Sequence, residues 1–377
     1  MNRRIEYENP EQKYEVTPIE LFFDLIYSFA FSQLTQYLLS DLSWEGIIRT
    51  LVMLIAMFMV WSYTSWAATM INADKSGTRL MILLVMFIGL FMNTSILGAF
   101  SNLGWVFIST FLIIQFGRTS WTITFSSDDT FREHFWRVLI WQVMSAPIWI
   151  AGACVSIRLR IFLWLIAAGV DLLGTWIGHP IPGRRFLSEN IEFDTKHMLE
   201  RCRLFRLIAI GEMVFTLGAA ITNADLSYMT IVLGIVTMGE IVSLWALTFG
   251  RFYRIVAEHV EDTRNPVQAS HYAINALVII LFGLVAISVA NEHIILHPFE
   301  VPSPVLCFLL GGGPILFLSA QGWYLIKVPN IRPYRYIVCG ILFLFVSFTA
   351  CLFQSWIALI INGLILIMLS IFESTRS

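Results

Sequence analysis

The chain has 377 residues, of which 57% are hydrophobic and 13% charged, with a mean hydropathy of +0.74. These values lie outside the range of soluble domains. The 24 basic and 26 acidic residues nearly cancel, which leaves no broad basic face for nucleic acid. The composition predicts an all-α, polytopic integral membrane protein whose constant partners are membrane lipids.

At about 20 apolar residues per span, the sequence predicts twelve helices, near 18–40, 46–70, 79–99, 104–125, 135–156, 159–178, 200–221, 227–250, 270–291, 302–326, 333–350 and 353–373. The first opens on Thr17-Pro18-Ile19-Glu20, a capping box with proline at the first helical position. Capping is sufficient to account for Glu20. Asp24 lies roughly 10 Å beyond the cap at 1.5 Å per residue, a depth that is hydrocarbon if the helix spans. Ser28, Ser32 and Thr35 extend a polar stripe along the same helix. The polar N-terminus lacks a basic-then-apolar leader, so the first helix is expected to stay as an anchor.

The longest link, 179–199, carries Pro180, Pro182 and Gly183, turn-forming residues. It divides the chain into a segment 1–17, a six-helix half 18–178, the link 179–199, and a second half 200–373. Val60-Trp61-Ser62-Tyr63-Thr64 resembles Leu244-Trp245-Ala246-Leu247-Thr248, and Asp24 corresponds to Glu212. Two parallel six-helix repeats, related by an axis along the membrane normal, are one reading; a chain without duplication is the other. With twelve spans, only Arg49, Arg158 and Arg160 among the flanking basic residues fall opposite the side holding Arg132, Arg137, Arg201, Arg251, Arg332 and Arg335. The positive-inside rule then places both termini, and the 1–17 and 179–199 segments, in the cytoplasm of a bacterial cell.

Ionisable side chains inside spans are costly and are the default functional candidates. Asp24, Arg118 and Asp171 fall at similar depths, with Arg206 near them, so two acids and two bases are expected to satisfy one another. They serve either as structural ion pairs or as a cation or proton path. Glu212 and Glu240 lie deeper, each after a glycine that would let another backbone approach. Each is either a proton carrier or a hydrogen-bonded structural carboxyl. Gly311-Gly312-Gly313-Pro314 is expected to break the tenth helix and free carbonyls for an ion or substrate, or to kink it for close packing. Trp61, Tyr63 and Trp66 are read as packing, with a cation pathway as the alternative, and Gln115 lies beside Arg118.

Cys154, Cys202, Cys307, Cys339 and Cys351 show no paired spacing and are read as packing residues, not as a disulfide framework or zinc site. Glu292, His293, His297 and Glu300 form no tight ligand motif, and no metal or cofactor is expected. The chain has no P-loop, dinucleotide fingerprint or nucleophile elbow.

The opening Thr17 to Leu25, the segment Trp61 to Trp66, and Glu200 to Phe205 with Ile208 to Glu212 together resemble the bacterial low-temperature-requirement protein A (LtrA) family. The resemblance covers nearly the whole chain, although Arg203 and Arg206 stand where uncharged residues are expected in relatives. It implies a multi-pass bacterial membrane protein with no established molecular activity. The layout of two six-helix halves, each beginning with an acid-bearing helix, also resembles twelve-helix endosomal and bacterial potassium channels, a likeness of fold that assigns no function. The leading expectation is a transporter or channel for a small ion or solute. The alternatives are a membrane-embedded enzyme acting on lipid or a lipid-linked substrate, and a structural or assembly membrane protein. An oligomer is left open.

Overall fold

The computed structural model describes residues 16–71, 76–126, 128–181, 194–262, 266–328 and 331–375. Most of the 179–199 link, including Pro182, Gly183, Arg184 and Arg185, and most of the 1–17 segment lie outside the described residues. No strand occurs among those described. The helices are α1 (Pro18–Ser40), α2 (Trp44–Ile71), α3 (Ser76–Thr94), α4 (Gly104–Phe125), α5 (Asp129–Cys154), α6 (Ile157–Ile177), α7 (Thr195–Asn223), α8 (Tyr228–Phe249), α9 (Arg251–Asp262), α10 (Pro266–Leu296), α11 (Pro304–Leu325), α12 (Tyr334–Ala350) and α13 (Ser355–Ser374). All twelve expected helices are present. The addition is α9, between the predicted helices 227–250 and 270–291; it buries Phe252, Val256 and Val260 at a spacing of four and leaves Arg254 exposed, the pattern of an amphipathic helix.

Among the described residues, eight helical segments are long and apolar enough to cross a membrane, which makes this a multi-pass membrane protein. Of the other long helices, α1 buries Glu20 and Asp24, α4 buries Gln115 and Arg118, α6 buries Arg160 and Asp171, and α12 has 17 residues. In the first half, α1 packs on α2 and α3, α3 on α4, α4 on α5, α5 on α6, and α2 on α6. In the second, α7 packs on α8 and α10, α10 on α11, α11 on α12, α12 on α13, and α8 on α13. With α9 set aside, the two orders of packing correspond helix for helix. The halves meet where α1 and α2 lie along α7 and α10, and α6 touches α10.

Two expectations are corrected here. Gly311, Gly312, Gly313 and Pro314 do not break their helix: α11 runs unbroken through them. A Cβ on Gly311 would lie 2.6 Å from Phe343 O, and one on Gly313 would lie 3.0 Å from Gly283 O, so these glycines let α11 touch α12 and α10 backbone to backbone. Pro314 has no N–H for the carbonyl four residues earlier, and Asn362 Nδ2 donates to that Leu310 oxygen at 2.8 Å. The freed carbonyl is thus taken by α13. The second correction concerns the cysteines, since Cys307 and Cys351 form a disulfide, with Cα atoms 6.5 Å apart, within the usual range. Their separation of 44 residues gives no local signal; the α11–α12 hairpin brings the start of one helix to the end of the next.

Candidate functional site

The site begins with the same capping box that starts α1. Glu20 Oε2 accepts from the Thr17 backbone N at 3.0 Å and from Thr17 Oγ1 at 2.9 Å. Glu20 is nevertheless fully buried, because one turn of helix puts it on the same face as Asp24 and that face meets α7. Arg201 answers both carboxylates, donating from Nη1 to Glu20 Oε1 at 2.8 Å and from Nη2 to Asp24 Oδ1 at 2.7 Å. Asp24 Oδ1 also accepts from Trp61 Nε1 at 2.8 Å, and the Trp61 ring stacks on Phe205 of α7. His197 lies one turn before Arg201, with Nε2 3.2 Å from Glu20 Oε2 and Nδ1 3.0 Å from Thr69 Oγ1. Such a pair of acids on one guanidinium is held in place by geometry; removing one member of a buried set is far more costly than the set is worth.

The stretch of α2 from Val60 to Thr69 is the hub of the polar centre. Trp61 reaches α1, while Thr64 and the Val60 carbonyl face Arg118 Nη1 of α4 at 3.5 and 3.3 Å. The Trp66 ring lies 4.9 Å from that of His271 on α10, and Thr69 meets α7. Arg118 also donates to Gln115, and its guanidinium stands 5.1 Å over the Tyr63 ring. Tyr63 Oη lies 2.6 Å from His179 Nε2, just past the end of α6. There Gly178, at φ 70°, begins a Schellman turn in which His179 N donates to Gly174 O at 2.8 Å, and this turn aims the imidazole inward. His179 itself has φ 53°, a left-handed conformation that costs a non-glycine residue energy. Burial, with His134 and His271 nearby, holds the His179 pKa well below the usual imidazole range. The ring is neutral, and its tautomer sets which of Tyr63 Oη and His179 Nε2 donates in this bond.

The expected layer is rearranged. Among the described residues, no salt bridge joins any of Asp24, Arg118, Asp171 and Arg206 to another of the four. Asp24 pairs with Arg201, which the sequence reading counted among the cytoplasmic flanking residues. Asp171 accepts from Trp149 Nε1 at 2.9 Å. Arg206 donates to Cys202 O at 3.3 Å and lies over the Phe252 ring at 5.6 Å. Equal depth fixes height in the bundle but not the direction a side chain faces, and that direction decided the pairing. Glu240 accepts from Asn291 Nδ2 at 2.6 Å. The glycine that makes room for it is Gly363 of α13, whose added Cβ would sit 3.3 Å from Glu240 Cγ. Gly211, before Glu212, has nothing within 4 Å of its Cβ position, and Glu212 is half-buried beside Ser32 of the α1 stripe. Glu20, Arg201, His197 and His179 are the members that sequence reasoning missed. The signal for the first two was available, since Glu20 and Asp24 are four apart on one helix face and therefore call for a base on whatever packs there.

Several buried polar atoms at this centre have no protein hydrogen-bond partner among the described residues: Asp24 Oδ2, Tyr27 Oη, Ser65 Oγ and Arg118 Nε. Buried groups of this kind are rare and call for water, an ion or a ligand. The arrangement can hold a cation at a carboxylate oxygen or pass a proton between carboxyl, imidazole and phenol groups.

A bundle of long apolar helices closed around a charged interior defines a polytopic membrane protein with an internal polar site. The family described as bacterial low temperature requirement A protein (LtrA) matches residues 15–371, and the chain belongs to that family. It is also similar to the uncharacterized protein RA0937 of Rhizobium meliloti (strain 1021), 28% identical over 373 residues that span 97% of this chain and 90% of that protein. No solved structure matches the chain.

Proposed function

We propose that this LtrA-family protein carries a small ion or solute across the bacterial cytoplasmic membrane by way of the polar centre around α2. The observation that carries the reading is Asp24. It is fully buried in a helix bundle, its Oδ1 is held by Arg201 and Trp61, and its Oδ2 is free of any protein donor among the described residues. One oxygen is thus anchored and the other offered, which is what a carboxylate binding a cation or proton in passage requires. Arg201 holds the carboxylate in position, and exchange of its two partners is a means of gating.

His197 ties the carboxylate pair to α2: its ring stands between Glu20 Oε2 and Thr69 Oγ1, and the Thr69 hydroxyl is also 2.9 Å from Ser65 O.

Two observations support an orientation with both termini in the cytoplasm. The basic residues cluster at the end where α1 and α7 begin, and the Cys307–Cys351 disulfide lies at the opposite end, where an oxidising compartment would preserve it.

The test is flux into proteoliposomes holding wild-type protein or Asp24→Asn, under a potassium gradient and then a proton gradient. The expected result is flux in the wild type that falls at least ~10-fold per folded molecule in the variant, equivalent to about 1.4 kcal/mol or more. Wild-type liposomes that pass neither ion nor common solutes would overturn the reading.

A further inference from the structure

At the end of the bundle where α12 begins and α13 finishes, three arginines gather around one acid. Arg335 donates from Nη1 to Glu373 Oε1 at 3.1 Å, and Arg251 donates from its own Nη1 to Glu373 Oε2 at 3.3 Å. The Arg335 Nη1 also reaches Phe372 O at 3.1 Å, so the guanidinium is fixed at the mouth between the two helices. Arg332 is exposed and lines the same small cleft, of about 130 Å³. Three guanidiniums against one carboxylate leave a surplus of two positive charges. Tyr334 and Tyr336 complete its walls.

From Tyr334 and Arg335 an open groove of about 610 Å³ runs along α12 and α13, and apart from that arginine its walls are almost wholly apolar: Val338, Leu342, Ile361, Leu364 and Met368 among them. Tyr334 to Leu342 is eight residues of helix, roughly 12 Å of depth at 1.5 Å per residue. A second, mainly apolar cleft, of about 530 Å³ and bounded by Leu207, Trp245 and Phe249 with Arg203 in its wall, shares Arg251 and Glu373 with the first.

We propose that this is a binding site for an anionic phospholipid. Its phosphate sits on Arg332 and Arg335, one acyl chain lies in the α12–α13 groove, and the second chain turns toward the α7–α8 cleft. Basic residues where a helix pair meets the headgroup region attract anionic lipid, and arginine grips phosphate oxygens in pairs. Glu373 holds Arg251 and Arg335 in position without cancelling the surplus charge. The site is independent of the polar centre around α2, and the flux experiment does not bear on it.

The experiment is native mass spectrometry of the whole protein in detergent, loaded with phosphatidylglycerol or phosphatidylcholine. Wild type should retain the anionic lipid in preference. Arg332→Gln with Arg335→Gln should cut that preference roughly 30-fold, since each basic residue at the surface contributes about fivefold. Leu342→Trp, which fills the groove, should lower retention of both lipids and leave their ratio unchanged. Arg254→Gln, an exposed charge on α9 away from the cleft, should change nothing. Inorganic phosphate should not displace the lipid, because the acyl chain supplies most of the hold. Equal retention of the two lipids by wild type, displacement by phosphate, or an equal loss in Arg254→Gln would overturn the proposal.

Discussion

The two most enclosed membrane helices, α2 and α10, solve the same problem in opposite ways. Over their apolar windows 83% and 89% of residues are buried, so neither has a face for lipid. α10 is the more apolar, with a mean hydropathy of 2.6 against 1.7, and it packs on α11 through glycine contacts at Gly283 and Gly313. α2 is surrounded by charge and hydrogen bonds, with Trp61, Tyr63, Thr64, Trp66 and Thr69 each turned toward a different neighbour. In hydrocarbon there is no hydrophobic gain in bringing two apolar helices together, so association needs either close van der Waals contact or polar contact. The α10 seam uses the first and the α2 centre uses the second.

This contrast can be broken most directly at Arg201. Arg201→Gln leaves Glu20 and Asp24 together in a buried site, and should destabilise the protein by about 3–5 kcal/mol in thermal or denaturant unfolding in detergent. Adding Glu20→Gln and Asp24→Asn should recover most of that loss. If Arg201→Gln alone is harmless, the centre is hydrated and the ion set is not a structural unit.

At the α10–α11 seam, Gly313→Val would place a Cβ 2.7 Å from Ile287 Cγ1 and 3.0 Å from Gly283 O. An overpacked interface of this kind should cost about 1–3 kcal/mol, with no change in ion flux per folded molecule. A selective loss of flux would mean that the seam moves during transport. Asn362→Leu removes the donor that covers the carbonyl left open by Pro314, and should cost about 1–2 kcal/mol on the same unfolding assay; the double variant with Pro314→Ala should regain it.

The smallest effect is the pH response of His179. Burial lowers its pKa in the folded protein, while the unfolded chain titrates near 6.5. The unfolded state therefore takes up the proton first, so stability is full above about pH 6.5 and falls below it by at most about 1.4 kcal/mol per pH unit. The groups facing the ring are Tyr63, His134 and Trp141, with His271 beyond. His179→Gln should flatten this acid slope by one such increment, measured as unfolding midpoint between pH 7.5 and 5.5. An unchanged slope would show that the ring is already solvated.

Much of this was legible in the sequence. Runs of about 20 apolar residues between turn signals fix helices because the backbone must satisfy itself within a membrane, and the twelve expected helices stand where they were placed. Asp24 was legible as a costly residue in an apolar run. The amphipathic α9 was not, because its polar residues fall between two strong spans. Nor was Arg201: at a span end it looks like an ordinary basic flank, and only the docking of α7 on α1 shows that it is buried.

By itself, then, the sequence determined the membrane class, the positions of the helices and the presence of charges that lipid would not accept. Helix formation depends on local pattern, and insertion depends on the apolarity of each segment, so both can be read along the chain. The tertiary structure decided which charge meets which. Rotation about each helix axis set the partners: Arg201 took both acids of α1, Arg118 was left to Gln115 and Tyr63, and Asn362 was carried to the carbonyl that Pro314 had freed. Those choices come from packing between segments up to about 180 residues apart, a separation at which no local pattern carries information.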